Sequence, residues 1–220
     1  MCILALKRIY LLKTKDKIIS QAIQYFNKYG VTNVPSRTLA KSLQISHGNL
    51  EYHFPNKEAL LLAIYSQMKK DISEVYEERG YVDDPFLHFN ELLVKLELFH
   101  NTYSFFNLDV LEISRNFEEV NGLLKKTFQI RKDQMAHFYE RFMEYGYFQD
   151  EIIPGMYMRL QHTIRILITF WKSQQEVLPY FISIQNSTMS TYIWELLMPH
   201  MTEKGLKAYE NLILNTVEKI

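Results

Sequence analysis

One cysteine, Cys2, is all that 220 residues hold, so no internal disulfide can close and a reducing cytoplasm is the compartment the chain suits. Net charge is missing too: 25 basic and 25 acidic residues cancel, and a neutral total taken alone argues against a nucleic-acid partner. Long apolar runs are absent, none approaching the roughly 18 to 20 residues that a membrane span needs. The opening MCILALKRIYLLK is interrupted by Lys7 and Arg8 and is followed by no small-residue cleavage pattern, so it reads as a helical or flexible arm rather than a signal peptide. Glycine and proline are sparse, seven and six, and they fall between stretches of helical periodicity. With no strand-period segment, repeat or low-complexity tract to compete, the expected fold is all-α.

What is present begins with an apolar stripe, Ile18, Ile19, Ala22, Ile23 and Phe26, on a helix from about Lys15 that Gly30 ends. A helix from Lys57 to about Arg79 should follow the head and stop before Gly80 and Pro85. Further helices are expected near 86–101, 103–117 and 119–145, then from Pro154 and Gly155 to about Val177, and from about Ile182 to Met198. Pro199 and Gly205 should separate a last one.

The most informative stretch is SRTLAKSLQISHGNLEYHFPNK, residues 36–57. Ser36 can cap a first helix, or Pro35 can occupy its first position. Leu39, Ala40 and Leu43 share one face, and the small Ala40 lets a second helix cross closely. After Gln44, Ile45 tucks inward and Ser46 can cap a second helix that carries Leu50 and Phe54 inward at i, i+4. Two short helices joined by a tight turn are the shape that enters a DNA groove. The second helix leaves His47, Gly48, Asn49, Glu51, Tyr52 and His53 outside. Asparagine can bond adenine and glutamate a cytosine amino group, while tyrosine and histidine can reach phosphate or base. Asn56 should cap the next helix, with Lys57 at its first position.

Charge is unevenly spread. Through Lys57 the chain carries Lys7, Arg8, Lys13, Lys15, Lys17, Lys28, Arg37, Lys41 and Lys57 against Asp16 and Glu51, a surplus of seven positive charges that the rest of the chain must offset. A positive head on a negative body would orient the protein on a polyanion, with salt-sensitive binding.

Residues 14–68, with IISQAIQYFNKYG, SRTLAKSLQIS and HGNLEYHFPNKEALL in order, resemble the N-terminal DNA-binding domain of the TetR family of transcriptional regulators. The resemblance implies that Arg37 contacts a base and Ser36 a phosphate. It also implies that His47, Gly48 and Asn49 are early recognition-helix contacts, that Tyr52 and His53 touch phosphate, and that Lys57 is the phosphate-binding lysine. Two residues depart from the pattern: Glu51 replaces a tyrosine, and Gln44 stands where a glycine is usual. If Gln44 takes a positive φ, its strain should be of order 1 kcal/mol. The run from His100 to Phe148, and then Ile164 to Trp171, also resembles a TetR-type regulatory domain. Division is expected after Lys57, into an N-terminal arm and helix-turn-helix domain, 1–57, and a helical regulatory and dimerisation domain, 58–220.

For a ligand pocket in that body the candidates are Phe99, His100, Tyr103, Phe106, Phe138, His162, Arg165 and Trp171, with Phe105, His137, Phe142 and Phe170 also considered. Most aromatics at helical spacing are core filler. Arg165, inside TIRILITFW, needs a partner: an acidic ligand, a buried carboxylate or a residue across a dimer interface. Lys69, Lys70, Lys125, Lys126, Arg131 and Lys132 are interspersed with acids and read as solvated faces. An enzyme has little to rest on. Glu97 and His100 have the spacing of carboxylate-bridged di-metal bundles, but no second Glu-x-x-His exists, nor any phosphate loop, His-Glu-x-x-His or nucleophile elbow. No cofactor or metal is therefore expected. The reading is a ligand-responsive repressor, a cytoplasmic homodimer whose two heads meet a palindromic double-stranded operator and release it when a small-molecule effector binds, with helix four as the lever. A regulator-like scaffold that has lost DNA binding is the alternative, hinted at by Glu51.

Overall fold

A computed structural model describes residues 2–73, 76, 84–178 and 188–214, with side chains from Thr14 onward. The regular structure of the described residues is helical, apart from a single isolated antiparallel bridge between Phe148 and Met201. The helices are α1 (Cys2–Tyr29), α2 (Ser36–Ser42), α3 (His47–His53), α4 (Lys57–Ser73), α5 (Pro85–Thr102), α6 (Ser104–Leu108), α7 (Val110–Asn116), α8 (Glu118–Glu144), α9 (Met156–Val177), α10 (Met189–Leu197) and α11 (Glu203–Tyr209). The chain forms two compact units, Met1–Asp71 with Thr102–Leu124, and Ile72–Asn101 with Lys125–Ile220.

In the first unit the α1 stripe is buried as its spacing predicts, Ile18 and Ala22 completely. Gly30 ends the helix at φ 80°, its N–H bonded to the Phe26 carbonyl at 2.9 Å. The N-terminal arm is helical, continuing α1 back to Cys2. The expected single helix over 103–117 is two, because Asp109 sits between them and turns its carboxylate to the Val31 N–H at 2.7 Å. Phe105 meets Phe26 edge-on at 5.6 Å, and Asn27 holds both sides of the α5–α6 corner, donating to the Thr102 carbonyl and accepting from the Phe105 N–H.

The second unit is built on aromatic packing. Phe86, Phe89, Phe142 and Trp194 contact one another edge-on at centroid distances of 5.0–5.5 Å, geometry that adds to the area each ring buries. Asp84 caps α5 at the Phe86 N–H and accepts from the Tyr147 hydroxyl at 2.6 Å. Glu151 caps α9 through the Gly155 and Tyr157 N–H groups. The expected helix over 182–198 is described from its Thr188 cap, residues 182–187 lying outside the described ones, as do all but Tyr76 of the residues expected to end α4 past Ser73. Gly205 does not separate helices. It lies in the first turn of α11, where a Cβ would collide with the Tyr147 carbonyl, so a glycine is required for close approach rather than for a break.

Candidate DNA-reading surface and ligand groove

Local chemistry fixes the helix-turn-helix. Pro35, in extended backbone, is the cap of α2 and its carbonyl accepts from Thr38 and Leu39; Ser36 opens the helix and does not cap it. A proline suits that place because it has no N–H to leave unbonded. Leu39 and Ala40 are buried. The helix closes with the Gln44 N–H on the Lys41 carbonyl and the Ile45 N–H on the Ala40 carbonyl, the paired bonds of a Schellman ending, and Gln44 takes φ 55°. Ser46 then caps α3, its hydroxyl accepting from the Asn49 N–H at 3.1 Å. Leu50 and Phe54 are buried.

The remaining residues of α3 face outward. Gly48, Asn49, Glu51 and Tyr52 are exposed, Tyr52 by 73%, and His47 and His53 are half-buried. Arg37 on α2 is exposed and Ser36 half-buried. Glu51 does not stand alone, for its carboxylate lies 3.6 Å from the His47 imidazole one turn back. Partial burial, helped by Lys15, lowers the His53 pKa, favouring the neutral ring. Asn56 caps α4 at the Ala59 N–H as expected. Lys57 is already engaged. Its ammonium donates to the Val31 carbonyl at 2.8 Å and the Thr32 carbonyl at 3.3 Å, and its desolvation lowers its pKa against the opposing pull of Glu112. Exposed Lys15, Lys17, Lys28 and Lys41 supply positive charge on the same unit.

The eight pocket candidates divide between the two units. Tyr103 and Phe106 belong to the first unit, where the Tyr103 hydroxyl donates to Asp71 at 2.5 Å and accepts from Gln67; burial, with that bond to Asp71, pushes its pKa up to about 12. Phe106 lies 6.0 Å from Tyr65. In the second unit Phe138 is core, against Phe89 and His88, and Phe99 packs half-buried on that core. His100 is buried, which with Lys172 nearby lowers its pKa to about 4. Trp171 meets Tyr192 edge-on at 5.2 Å. His162 and Arg165 line a groove of about 740 Å³ between α8 and α9, together with Lys125, Phe128, Gln129, Lys132, Met158, Arg159, Gln161 and Thr163. Buried Gln161 ties its two walls, donating to the Lys132 carbonyl at 2.9 Å. Lys125 and Lys132 are exposed, as read from the sequence, and line this groove as well, whereas Arg131, read the same way, is buried with its guanidinium 3.7 Å over the Tyr76 ring. The visible signal is spacing: 125, 128 and 132 on one helix and 158, 162 and 165 on the next each mark a single face.

The Glu97 carboxylate is turned to Ser190, at 3.4 Å from its N–H, and among the described residues no group of three His, Cys, Asp or Glu could hold an ion. Nor is any described helix long and apolar enough to cross a membrane.

Two family models match the chain, one described as "Bacterial regulatory proteins, tetR family" over residues 18–64 and one as "Bacterial transcriptional repressor" over 67–209. Among curated proteins it is 33% identical over 64 residues to "Probable HTH-type transcriptional regulator YttP" of Bacillus subtilis, covering 29% of this chain and 31% of that one. It is 29% identical over 86 residues to "Probable acrEF/envCD operon repressor" of Escherichia coli K12, covering 38% and 39%. The chain thus spans well under half the length of these curated relatives. A TetR-family transcriptional regulator from Marinobacter aquaeolei VT8 shares its fold at a TM-score of 0.80 and 19% identity, over 94% of this chain and 98% of that one. A Saccharomonospora viridis transcriptional regulator solved with choline does so at 0.66 and 18%, over 87% and 98%. With the second model alone covering more than half the chain, from α4 to α11, and the first covering the helix-turn-helix, the protein belongs to the TetR family of bacterial transcriptional regulators.

Proposed function

We propose that the protein is a sequence-specific DNA-binding transcriptional regulator, a repressor that releases its operator when a small-molecule effector binds. The family is one of DNA-binding regulators and not of enzymes. The observation that carries the proposal is α3, which buries Leu50 and turns Gly48, Asn49, Glu51 and Tyr52 to solvent. In this reading residues 1–57 are the head. Arg37, His47, Gly48 and Asn49 reach bases, while Ser36, Tyr52 and His53 hold phosphates. Lys57 has a structural task first, on the Val31 and Thr32 carbonyls, and any phosphate would use its remaining donor.

Residues 58–220 form the regulatory and dimer-forming part. A homodimer would set two α3 helices about 34 Å apart, facing successive major grooves of a palindrome. The exposed apolar stripe of Ile166, Phe170 and Val177 on α9 supports pairing through that helix. Two structural neighbours were solved with small molecules, one with choline and one, SmeT, with triclosan. An effector that binds better to one head spacing shifts the population toward it, with α4 as the lever.

The test is selection of duplexes from fragmented genomic DNA, followed by titration of the winner with wild type and Asn49→Ala. Wild type should prefer a palindrome in a salt-dependent manner, and Asn49→Ala should lose about 1–3 kcal/mol of that preference. No preference for any duplex at low salt would leave the scaffold reading, for which Glu51 speaks.

A further inference from the structure

The groove between α8 and α9 is chemically one-sided. Lys125, Lys132, Arg159, Arg165 and His162 line it, no carboxylate among the described residues does, and Phe128 and Met158 give it an apolar surface. Arg159 is partly committed, donating to the Pro154 carbonyl at 3.2 Å with Glu151 close by. Asp133, one turn from Gln129, accepts from that amide at 3.2 Å.

Arg165 is different. It is half-buried, its guanidinium stands over the Phe128 ring at 5.0 Å, and among the described residues no hydrogen bond or carboxylate engages it. Its other electrostatic neighbour is Tyr76, a phenol that burial keeps protonated and whose ring already carries Arg131 at 3.7 Å. A partly desolvated guanidinium with no counter-ion among the described residues, sharing a groove with two lysines, is a standing demand for an anion. Its planar fork matches a carboxylate or a phosphate.

We propose that this groove binds an organic anion with an apolar body, the headgroup held by Arg165 with Lys125 and Lys132 at the rim and the body laid on Phe128 and Met158. A groove of about 740 Å³ suits a ligand of ordinary metabolite size. The inference rests on the effector-responsive reading given above and names the chemical class of the effector.

The experiment is isothermal titration of the full chain with decanoate, decyl phosphate, 1-decanol and decyltrimethylammonium. Decanoate or decyl phosphate should bind, the tighter of the two identifying the headgroup, and the alcohol and the ammonium should bind about tenfold more weakly or worse. Arg165→Gln should weaken the preferred anion by about tenfold or more, and Arg165→Lys by less, since it keeps the charge without the fork. Should Arg165→Gln fail to fold, the double variant Lys125→Gln, Lys132→Gln, which alters exposed side chains, reads the same loss. Absence of anion binding, equal binding of the ammonium, or unchanged affinity in these variants overturns the proposal. So does an Arg165→Gln protein that dissociates from dimer to monomer in sedimentation while keeping its anion affinity, because the cations would then face a second copy. Operator affinity with and without decanoate separates the two claims. A bound anion that leaves DNA affinity unchanged keeps the site and removes its effector role; release of the operator by another compound, with no anion bound, keeps the effector reading and removes the site.

Discussion

Gln44 holds a left-handed backbone at φ 55° to close the α2 ending, and a side chain there is strained. Gln44→Gly should stabilise the protein by about 1 kcal/mol, seen as a higher denaturant midpoint with an unchanged slope. His100 makes a second prediction through its burial. Desolvation, then Lys172, lowers its pKa from 6.5 to about 4, so the folded state favours the neutral ring while the unfolded chain takes up a proton near 6.5. The stability this contributes is present above pH 6.5 and is lost as pH falls from there through 4, on the order of 3 kcal/mol in all. His100→Gln, which cannot titrate, should flatten that part of the curve in denaturation experiments stepped from pH 7 to 4.

Between elements, the α1–α2 loop is gripped by α7. Asp109 accepts from the Val31 N–H, Glu112 accepts from the Thr32 hydroxyl at 2.6 Å, and Lys57 ties the Val31 and Thr32 carbonyls to the start of α4. Asp109→Ala would leave the Val31 N–H without that acceptor, costing about 1–3 kcal/mol. Asp109→Asn keeps an oxygen there. Burial raises the Asp109 pKa and Glu112 adds to the rise, against the opposing pull of the Val31 N–H bond; the Asn variant, which keeps an acceptor for that N–H, should lose less than the Ala variant. Chemical denaturation of the two side by side checks the order. Asp109 also marks where sequence reading stops. The α1 stripe, the Ser46 and Asn56 caps and the outward face of α3 were legible because each depends on residues within about a turn. Asp109 as a break, Gly205 inside a helix and the Phe128 groove were not, since each is decided by a partner distant in sequence: Val31, Tyr147 and α9. Within the second unit, His162 and Arg165 share the described groove while Phe138 is core, for the same reason. Aromatic spacing identifies a buried face but not which faces meet.

For the whole molecule, DNA affinity in the proposed mechanism depends on pairing, since each head presents one short helix and the second contact becomes intramolecular only in a dimer. The α9 stripe supplies the test. Ile166 and Phe170 are 50% and 47% exposed at one-turn spacing, outside the buried core, so charging them should leave the folded subunit intact while opposing pairing. The double variant Ile166→Glu, Phe170→Glu should sediment as a monomer, keep its helical circular dichroism, and bind a palindromic operator about a hundredfold more weakly than wild type. Its affinity for an isolated half-site should be nearly unchanged, because α3 is untouched. A variant that remains dimeric would move the interface off α9, and one that is monomeric yet binds the palindrome as well as wild type would separate operator recognition from pairing altogether.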